Sequence, residues 1–184
     1  MTSSVIDLPN KKYNIIYADP PWHYDKRNEG TRNVQNKYST MTFEDIYNLP
    51  VQQISNTNCI LFLWVTYPKL PQCLETISKW GFEYKTCAFS WVKKNKKSNS
   101  FFMGMGNWTR ANNEICLLAT KGTVKRVSAS VRQIVYKPIE QHSKKPDCIR
   151  NSIVELVGDL PRIELFARQK TDGWDVWGDE IVDD

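Results

Sequence analysis

The chain has 184 residues, of which 41% are hydrophobic, and a formal net charge of +5 at neutral pH. This is the length of one ordinary domain, which removes roughly 70% of the unfolded chain's surface from water. We therefore expect a single domain over residues 1–184. No apolar run reaches the roughly 20 residues that a membrane-spanning helix needs, which argues against a membrane protein. Small-molecule enzymes and nucleic-acid binders both remain compatible with this composition.

The cysteines and histidines argue against a metal site. Five cysteines lie far apart without a C-x-x-C pair, and the chain has only two histidines. Zinc sites require closely spaced ligands, so we expect no metal. The odd number of cysteines and the lack of a secretory leader favour a reducing compartment, and we expect a cytoplasmic protein.

The first predicted elements are a strand and a short helix. Residues 13–18, "YNIIYA", form an apolar run that ends in a turn signal, which predicts a buried strand with Asp19 at its carboxyl end. Thr42 has the properties of an N-cap and is followed by acidic residues, which predicts a helix to about Asn48.

The next segment predicts a second strand and a second helix. Residues 59–65, "CILFLWV", contain no polar side chain, which is typical of a strand buried on both faces in a parallel sheet. Apolar residues then recur at i, i+3, i+4 and i+7 from Leu70, which predicts an amphipathic helix that ends at Gly81.

The second half of the chain repeats this alternation. We predict strands at 86–92 and 114–120, a helix at 146–157, and a last strand at 162–167 that closes the sheet. Between the strand at 114–120 and the helix at 146–157, "VKRVS" and "RQIVY" are predicted to form a short antiparallel pair outside the parallel sheet. Strands that alternate with amphipathic helices predict a doubly wound α/β fold, with helices on both faces of a mostly parallel sheet. Ligands of such folds bind beyond the carboxyl ends of the strands.

The motif "DPPW" follows directly after the first predicted strand. Prolines fix their own φ and restrict the preceding residue, so Asp19 and Pro20 are expected to be extended. The Asp19 carboxylate and the Pro20 carbonyl oxygen can then accept hydrogen bonds from one exocyclic NH2 group. Trp22 offers a flat face, and stacking a base on such a ring is worth roughly 1–3 kcal/mol. The motif therefore predicts a site for a planar ring that carries an amino group.

Such a site has a definite chemistry. An aromatic amine such as adenine N6 is a poor nucleophile because its lone pair is delocalised into the ring. Two fixed acceptors draw the nitrogen toward tetrahedral geometry and free the lone pair for attack on an activated methyl group. Orientation and preorganised electrostatics then supply the catalysis. In isolation, the same motif would also fit an acid that caps a turn beside a core tryptophan.

Taken together, the motifs resemble the MT-A70 family of adenine-N6 methyltransferases. This family includes the catalytic subunit of the messenger-RNA enzyme and many small bacterial and phage DNA enzymes. The resemblance spans nearly the whole chain and comprises, in order, "DPPW", "KYSTMTFEDI", "LFLWVT", "WGF", "WVKKN", "GMGNWTRANNEICLLATKG", "HSKKPD", "RIELFAR" and "GWDVWGDE". It implies a Rossmann-like methyltransferase fold and S-adenosylmethionine as the methyl donor.

The resemblance also implies the roles of individual residues. The target adenine is expected to be held by Asp19, Pro20, Pro21 and Trp22. Positions around the base or the adjoining substrate surface are Tyr38, Trp64, Trp91 and Glu114. Positions around the methyl donor are Asp19, Lys145, Glu164, Arg168, Asp179 and Glu180. Trp64 also ends a buried strand, so a simple core role is the alternative for it.

The expected function is methylation of adenine N6 in DNA. Tyr38 and two basic loops, at 25–37 and 93–100, are predicted to contact the nucleic acid. RNA is the alternative within the same class, and a non-catalytic partner subunit or a protein-amide methyltransferase are alternatives outside it. The intact "DPPW" favours an active enzyme. A homodimer or a heteromeric partner is left open, and the chain leaves no room for a large target-recognition domain.

Overall fold

A computed structural model of the chain describes residues 8–23, 41–106, 108–140, 144–179 and 181. Its strands are β1 (Tyr13–Ala18), β2 (Ser55–Val65), β3 (Glu83–Lys94), β4 (Asn113–Lys121), β5 (Ile134–Pro138), β6 (Arg162–Leu165) and β7 (Asp175–Trp177). Its helices are α1 (Phe43–Tyr47), α2 (Val51–Ile54), α3 (Leu70–Lys79) and α4 (Cys148–Val157), with a 3-10 turn at Tyr67–Lys69. Within these residues, no helix is both long and apolar enough to span a bilayer.

The described strands form one seven-stranded sheet in the order β5-β3-β4-β2-β1-β6-β7. β1 is parallel to β2 and β6, β6 is parallel to β7, and β3 is parallel to β5. β4 is antiparallel to both of its neighbours, β2 and β3. Six strands therefore run in one direction, and the prediction of a mostly parallel α/β sheet is confirmed.

Helices cover both faces of this sheet. Along β2, Leu61 and Leu63 point into a core closed by the helices α1, α2 and α3. Phe62 and Trp64 point the other way, into a second core closed by α4. Alternate side chains of a strand face opposite sides, so a strand buried on both faces is apolar at every position. This burial explains the unbroken apolar run in the sequence.

Local signals set the helix ends where the sequence predicts them. The Thr42 side chain accepts a hydrogen bond from the Asp45 backbone N–H at 3.1 Å, and the Asp45 carboxylate accepts one from the Thr42 N–H at 3.3 Å. This reciprocal capping box satisfies two donors at the start of α1. Behind α3, Gly81 has φ +79°, a left-handed conformation that glycine adopts without strain.

Two predictions about strand pairing are wrong. β5 pairs in parallel with β3, so it is not part of an antiparallel pair outside the sheet, and residues 124–128 form no strand. That segment instead lies against α4, where the Val127 N–H donates to the Leu156 carbonyl oxygen at 2.8 Å. β5 lies on the far side of β3 from β4, and because it runs against β4, it is parallel to β3. β6 also does not close the sheet, because β7 pairs along its outer edge.

Candidate active site

The site lies at the edge of the sheet where the parallel strands end. Asp19 follows the last residue of β1, and Glu164 is the third residue of the short strand β6. Glu114 is the second residue of β4. Because β4 runs against its neighbours, its amino end lies at the same edge as the carboxyl ends of the others. The topology therefore brings three carboxylates together from distant parts of the chain.

A chain of alternating charges crosses this edge. Lys145 Nζ lies 2.7 Å from Asp19 Oδ2 and 3.1 Å from Glu114 Oε2. The other oxygen of Glu114, Oε1, accepts a hydrogen bond from Lys93 Nζ. The order is thus Asp19, Lys145, Glu114 and Lys93, with each charge beside its opposite. Removing any inner member would leave a buried charge without its partner.

These contacts decide the charge state of each group. Burial lowers the pKa of Lys145, but the carboxylates of Asp19 and Glu114 outweigh that effect and raise it to about 12. Burial raises the pKa of Glu114, yet Lys145 and Lys93 reverse the shift and lower it. For Asp19 burial prevails and raises the pKa, with Glu114 adding to the effect and Lys145 opposing it. Lys145 is therefore a permanent cation between two acids.

The "DPPW" motif forms a tight turn. The Trp22 N–H donates to the Pro20 carbonyl oxygen at 2.8 Å, which closes a three-residue turn around Pro21. A carbonyl oxygen has two lone pairs, so one remains for a further donor. Likewise, Lys145 occupies Oδ2 of Asp19, and among the described residues no hydrogen bond is made to Oδ1. Each of the two predicted acceptors thus keeps capacity for one N–H group.

The tryptophans around the site lie inside the protein. Trp22 is buried, and its indole N–H donates to the Trp64 carbonyl oxygen at 3.0 Å. Trp64 is fully buried, and its own indole N–H donates to the Tyr17 hydroxyl at 2.7 Å. Trp91 is also buried and donates to the Lys137 carbonyl oxygen at 3.0 Å. Trp22 belongs to the core on one face of the sheet, and Trp64 and Trp91 belong to the core on the other. Their predicted contacts with substrate stay predictions.

A cleft opens beside the charge chain, at the ends of β1 and β6. It is lined by Tyr17, Asp19, Lys144, Lys145, Arg150, Glu164, Phe166, Arg168 and Gln169. Four of the six predicted donor-binding residues are among these, namely Asp19, Lys145, Glu164 and Arg168. Asp179 is exposed and does not line the cleft. Glu180, Tyr38 and the basic loop at 25–37 lie outside the described residues.

Sequence reasoning missed Arg150 and Phe166. Arg150 lies on α4 beside the buried Ile149 and three residues before the buried Ile153, so a charge on the apolar face of this helix was the available signal. Phe166 follows β6 with φ +60°, in the left-handed region that costs a non-glycine residue of order 1–3 kcal/mol. Its ring packs edge-on against Trp177, with centroids 5.4 Å apart, which helps hold this bend at the rim of the cleft.

One assignment of the basic residues needs correction. The sequence places Lys93 in a solvated loop at 93–100, whereas the structure places it in β3, paired with Glu114. Lys94 is also in β3, and its ammonium contacts the Asn99 side chain. Only the part beyond them forms the exposed basic loop, in which Lys96 and Lys97 point to solvent. A run of lysines in sequence therefore divides between the active site and the surface.

Asp19, the turn after it and the mixed-charge cleft thus lie together at one edge of the sheet. The MT-A70 family model matches residues 13–180. The chain therefore belongs to the MT-A70 family. Within it, the chain is an enzyme of the adenine-N6 methyltransferase class.

Individual relatives support this assignment. The chain is 37% identical to the Type II methyltransferase M.MunI from a Mycoplasma species over 195 residues, which covers 96% of this chain and 81% of the relative. It is 29% identical over 161 residues to the human N(6)-adenosine-methyltransferase catalytic subunit METTL3, covering 85% of this chain and 26% of that protein. The Arabidopsis thaliana non-catalytic subunit MTB is 37% identical over 125 residues, or 65% of this chain and 16% of MTB.

Proposed function

We propose that the protein transfers a methyl group from S-adenosylmethionine to N6 of adenine in DNA. The observation that carries this proposal is the pair of open acceptors, Asp19 Oδ1 and the Pro20 carbonyl oxygen, beside a cleft of matching chemistry. Similarity to the Type II methyltransferase extends over most of both chains, whereas METTL3 shares only about a quarter of its length. This difference supports DNA over RNA as the acceptor.

The cleft residues fit the functional groups of the donor. S-adenosylmethionine carries a carboxylate, a ribose diol and a flat adenine ring, and it supplies a methyl group on a cationic sulfur. Lys145 and Arg168 provide positive charge for the carboxylate, and Glu164 provides acceptors for hydroxyl groups. Phe166 provides an aromatic surface in the same cleft. We therefore assign donor binding to this group of residues.

The chain's own groups would then act on the amine. Asp19 Oδ1 and the Pro20 carbonyl oxygen accept the two N–H bonds of N6, which directs the nitrogen lone pair toward the donor cleft. Lys145 fixes the Asp19 carboxylate by holding its other oxygen. After transfer the nitrogen is cationic, and Asp19 is the nearest acceptor for its proton. Burial raises the pKa of Asp19, which suits a group that holds this proton before passing it to water.

The exposed segment after β3 provides a surface for nucleic acid. Lys96 and Lys97 are exposed, and Phe101 and Trp108 follow them with their rings in solvent, Trp108 being 99% exposed. Lysines attract the phosphate backbone and aromatic rings stack on bases, so this combination suits a single strand or an extruded base. Extruding adenine from a duplex would cost a few kcal/mol. We infer that this segment contacts the DNA next to the target adenine.

Methyl transfer to separate acceptors tests the proposal. The protein is incubated with labelled S-adenosylmethionine and with DNA, RNA or protein, and the labelled acceptor is digested to nucleosides or peptides. We expect label in N6-methyl-2′-deoxyadenosine, and label that forms roughly 10²–10³-fold more slowly with the Asp19→Ala variant. Label in RNA or in protein would overturn DNA as the acceptor. Donor binding without transfer to any acceptor would instead indicate a non-catalytic subunit, as MTB is described.

A further inference from the structure

A buried ion pair lies beneath the cleft. Arg150 Nε donates to Glu164 Oε2 at 2.6 Å, and its Nη2 donates to Glu164 Oε1 at 2.8 Å. The third nitrogen, Nη1, donates to Asp147 Oδ1 at 2.8 Å. The guanidinium also lies 5.9 Å from the centre of the Tyr17 ring. Arg150 therefore joins α4 to β6 and to β1 directly beneath the donor cleft.

Stability alone does not explain this pair. Both side chains are only 10% exposed, so both charges have lost most of their water. Apolar residues of similar volume in such a place are often neutral or stabilising by about 1–4 kcal/mol relative to a buried ion pair. Both residues also line the cleft rather than the closed core on either side of it. A functional reason for the pair is therefore required.

The geometry of the pair suggests that reason. The planar guanidinium binds a carboxylate in two parallel hydrogen bonds, which fixes the orientation of the carboxylate plane. Each Glu164 oxygen then still has one lone pair, on the side away from the guanidinium, and these two lone pairs point apart. A carboxylate can only accept hydrogen bonds, so its ligand must present a donor, and one of these oxygens can accept from one hydroxyl group. A ribose presents hydroxyl groups.

We propose that Arg150 is a positioning residue, which holds the Glu164 carboxylate in the orientation that accepts a ribose hydroxyl of the methyl donor. This inference rests on the proposed donor site and deepens it. Lysine could not replace Arg150 fully, because an ammonium is a point charge without the two-pronged geometry. The pair also explains why a charged residue occupies the apolar face of α4.

The pair has a consequence for pH dependence. Burial raises the pKa of Glu164, Arg150 opposes that effect, and the charges of Asp19 and Asp147 add to it. The Tyr17 hydroxyl, from β1, also faces this carboxylate, and Lys144, Lys145 and Arg168 line the same cleft. Without Arg150 the main group that opposes the burial would be lost, so the pKa of Glu164 would rise further. A protonated Glu164 would then lose an acceptor when the pH falls.

Binding of S-adenosylhomocysteine, measured by calorimetry on the full chain, tests the proposal without any methyl acceptor. Arg150→Met should raise its Kd roughly 10-fold or more, because a hydrogen bond to a charged group is worth about 1.5–3 kcal/mol. Arg150→Lys should fall between Arg150→Met and the wild type. The 2′-deoxy form of S-adenosylhomocysteine should bind the wild type more weakly, and this preference should disappear in Arg150→Met.

Arg162→Met is the matched control. Arg162 is 13% exposed, pairs with the carboxylate of Asp159 and packs on the Trp174 ring, but it does not line the cleft. We expect this variant to bind S-adenosylhomocysteine like the wild type. Thermal unfolding of each variant shows whether it is folded, and Arg150→Lys carries the test where Arg150→Met does not fold.

The pH profile separates positioning from a structural role. Between about pH 8 and about pH 6, a range above the ordinary pKa of a glutamate, the Kd of Arg150→Met should rise more steeply as the pH falls than that of the wild type. A folded Arg150→Met protein that binds both ligands like the wild type would overturn the inference. Wild-type protein that binds S-adenosylhomocysteine but labels no DNA would overturn the proposed acceptor alone.

Discussion

Two lysine–aspartate pairs of the same length lie at opposite ends of the first strand. Lys145 and Asp19 are 2.7 Å apart at the carboxyl end of β1, and Lys11 and Asp175 are 2.7 Å apart near its amino end. The side chains of the first pair are 9% and 25% exposed, and those of the second are 56% and 43% exposed. The two pairs thus have the same chemistry and the same distance but differ in their exposure to solvent.

The two pairs differ in their environment and not in their distance. At the carboxyl end, burial shifts the pKa of both partners, and Glu114 and Lys93 extend the pair into a chain. At the amino end, water screens the charges, and exposed pairs of this kind contribute about 0–1 kcal/mol. Substitutions at the two ends should therefore have very different effects.

The largest effect is expected for Asp19→Ala. This change removes one of the two acceptors that hold the amine, and loss of one such preorganised group lowers kcat roughly 10²–10³-fold. Labelled methyl transfer to DNA measures it. Asp19→Asn keeps one carbonyl oxygen and should lose less. An Asp19→Ala enzyme that retains near wild-type kcat would show that this end of β1 is not the catalytic one.

Lys145→Met should have the next largest effect, on the free energy of unfolding as well as on methyl transfer. It leaves the buried acids Asp19 and Glu114 without their shared cation, and breaking a buried pair costs about 3–5 kcal/mol. Urea unfolding measures this loss. Both acids would then have raised pKa values, so the loss should be smaller at about pH 5, where they take up protons, than at about pH 8. A loss independent of pH would argue against unpaired carboxylates as its cause.

Lys93→Met should have a smaller effect, confined to the chemical step. Glu114 keeps Lys145 as its partner, so we expect kcat to fall roughly 10-fold or less, while the salt dependence of DNA binding stays unchanged. The double substitution Lys96→Gln and Lys97→Gln is the counterpart. It should flatten the plot of log K against log salt by about 0.9 per lost phosphate contact and leave kcat unchanged. If Lys93→Met instead flattened the salt dependence and the double substitution lowered kcat, Lys93 would belong to the DNA-binding surface.

The smallest effect is expected for Lys11→Met. The substitution removes the exposed pair with Asp175, which also accepts a hydrogen bond from the Tyr13 hydroxyl at 2.7 Å. The free energy of unfolding should change by less than about 1 kcal/mol, and methyl transfer should not change. If this variant is as damaging as Lys145→Met, burial does not distinguish the two ends of β1.

The features of the fold and of the site that the sequence predicts are those that depend on neighbouring residues. The position of Asp19 at a strand end, the capping box at Thr42 and the alternating strands and helices follow from neighbouring residues. The direction of β4 does not, because an apolar strand has the same pattern whichever way it runs. Only that direction brings Glu114 to Lys145, so the charge chain could not be derived from spacing.

The position of Lys93 was wrong for a related reason. Lys93 belongs to a run of lysines that is typical of a solvated loop, but β3 continues through it and turns this one toward Glu114. Trp64 is fully buried and lies under the Lys145 ammonium, 5.5 Å from the ring centre. Its predicted contact with substrate and its alternative role in the core both stay predictions.

The reversed direction of β4 has one more consequence. β3 and β4 form a hairpin whose connecting segment emerges at the same edge of the sheet as Asp19, and Val92 and Asn113 are paired where it leaves the sheet. A segment that starts and ends at one paired position can change in length or sequence without altering the strands behind it. We therefore expect this connecting segment to accept insertions and exchanges that leave β3 and β4, and with them Glu114, in place.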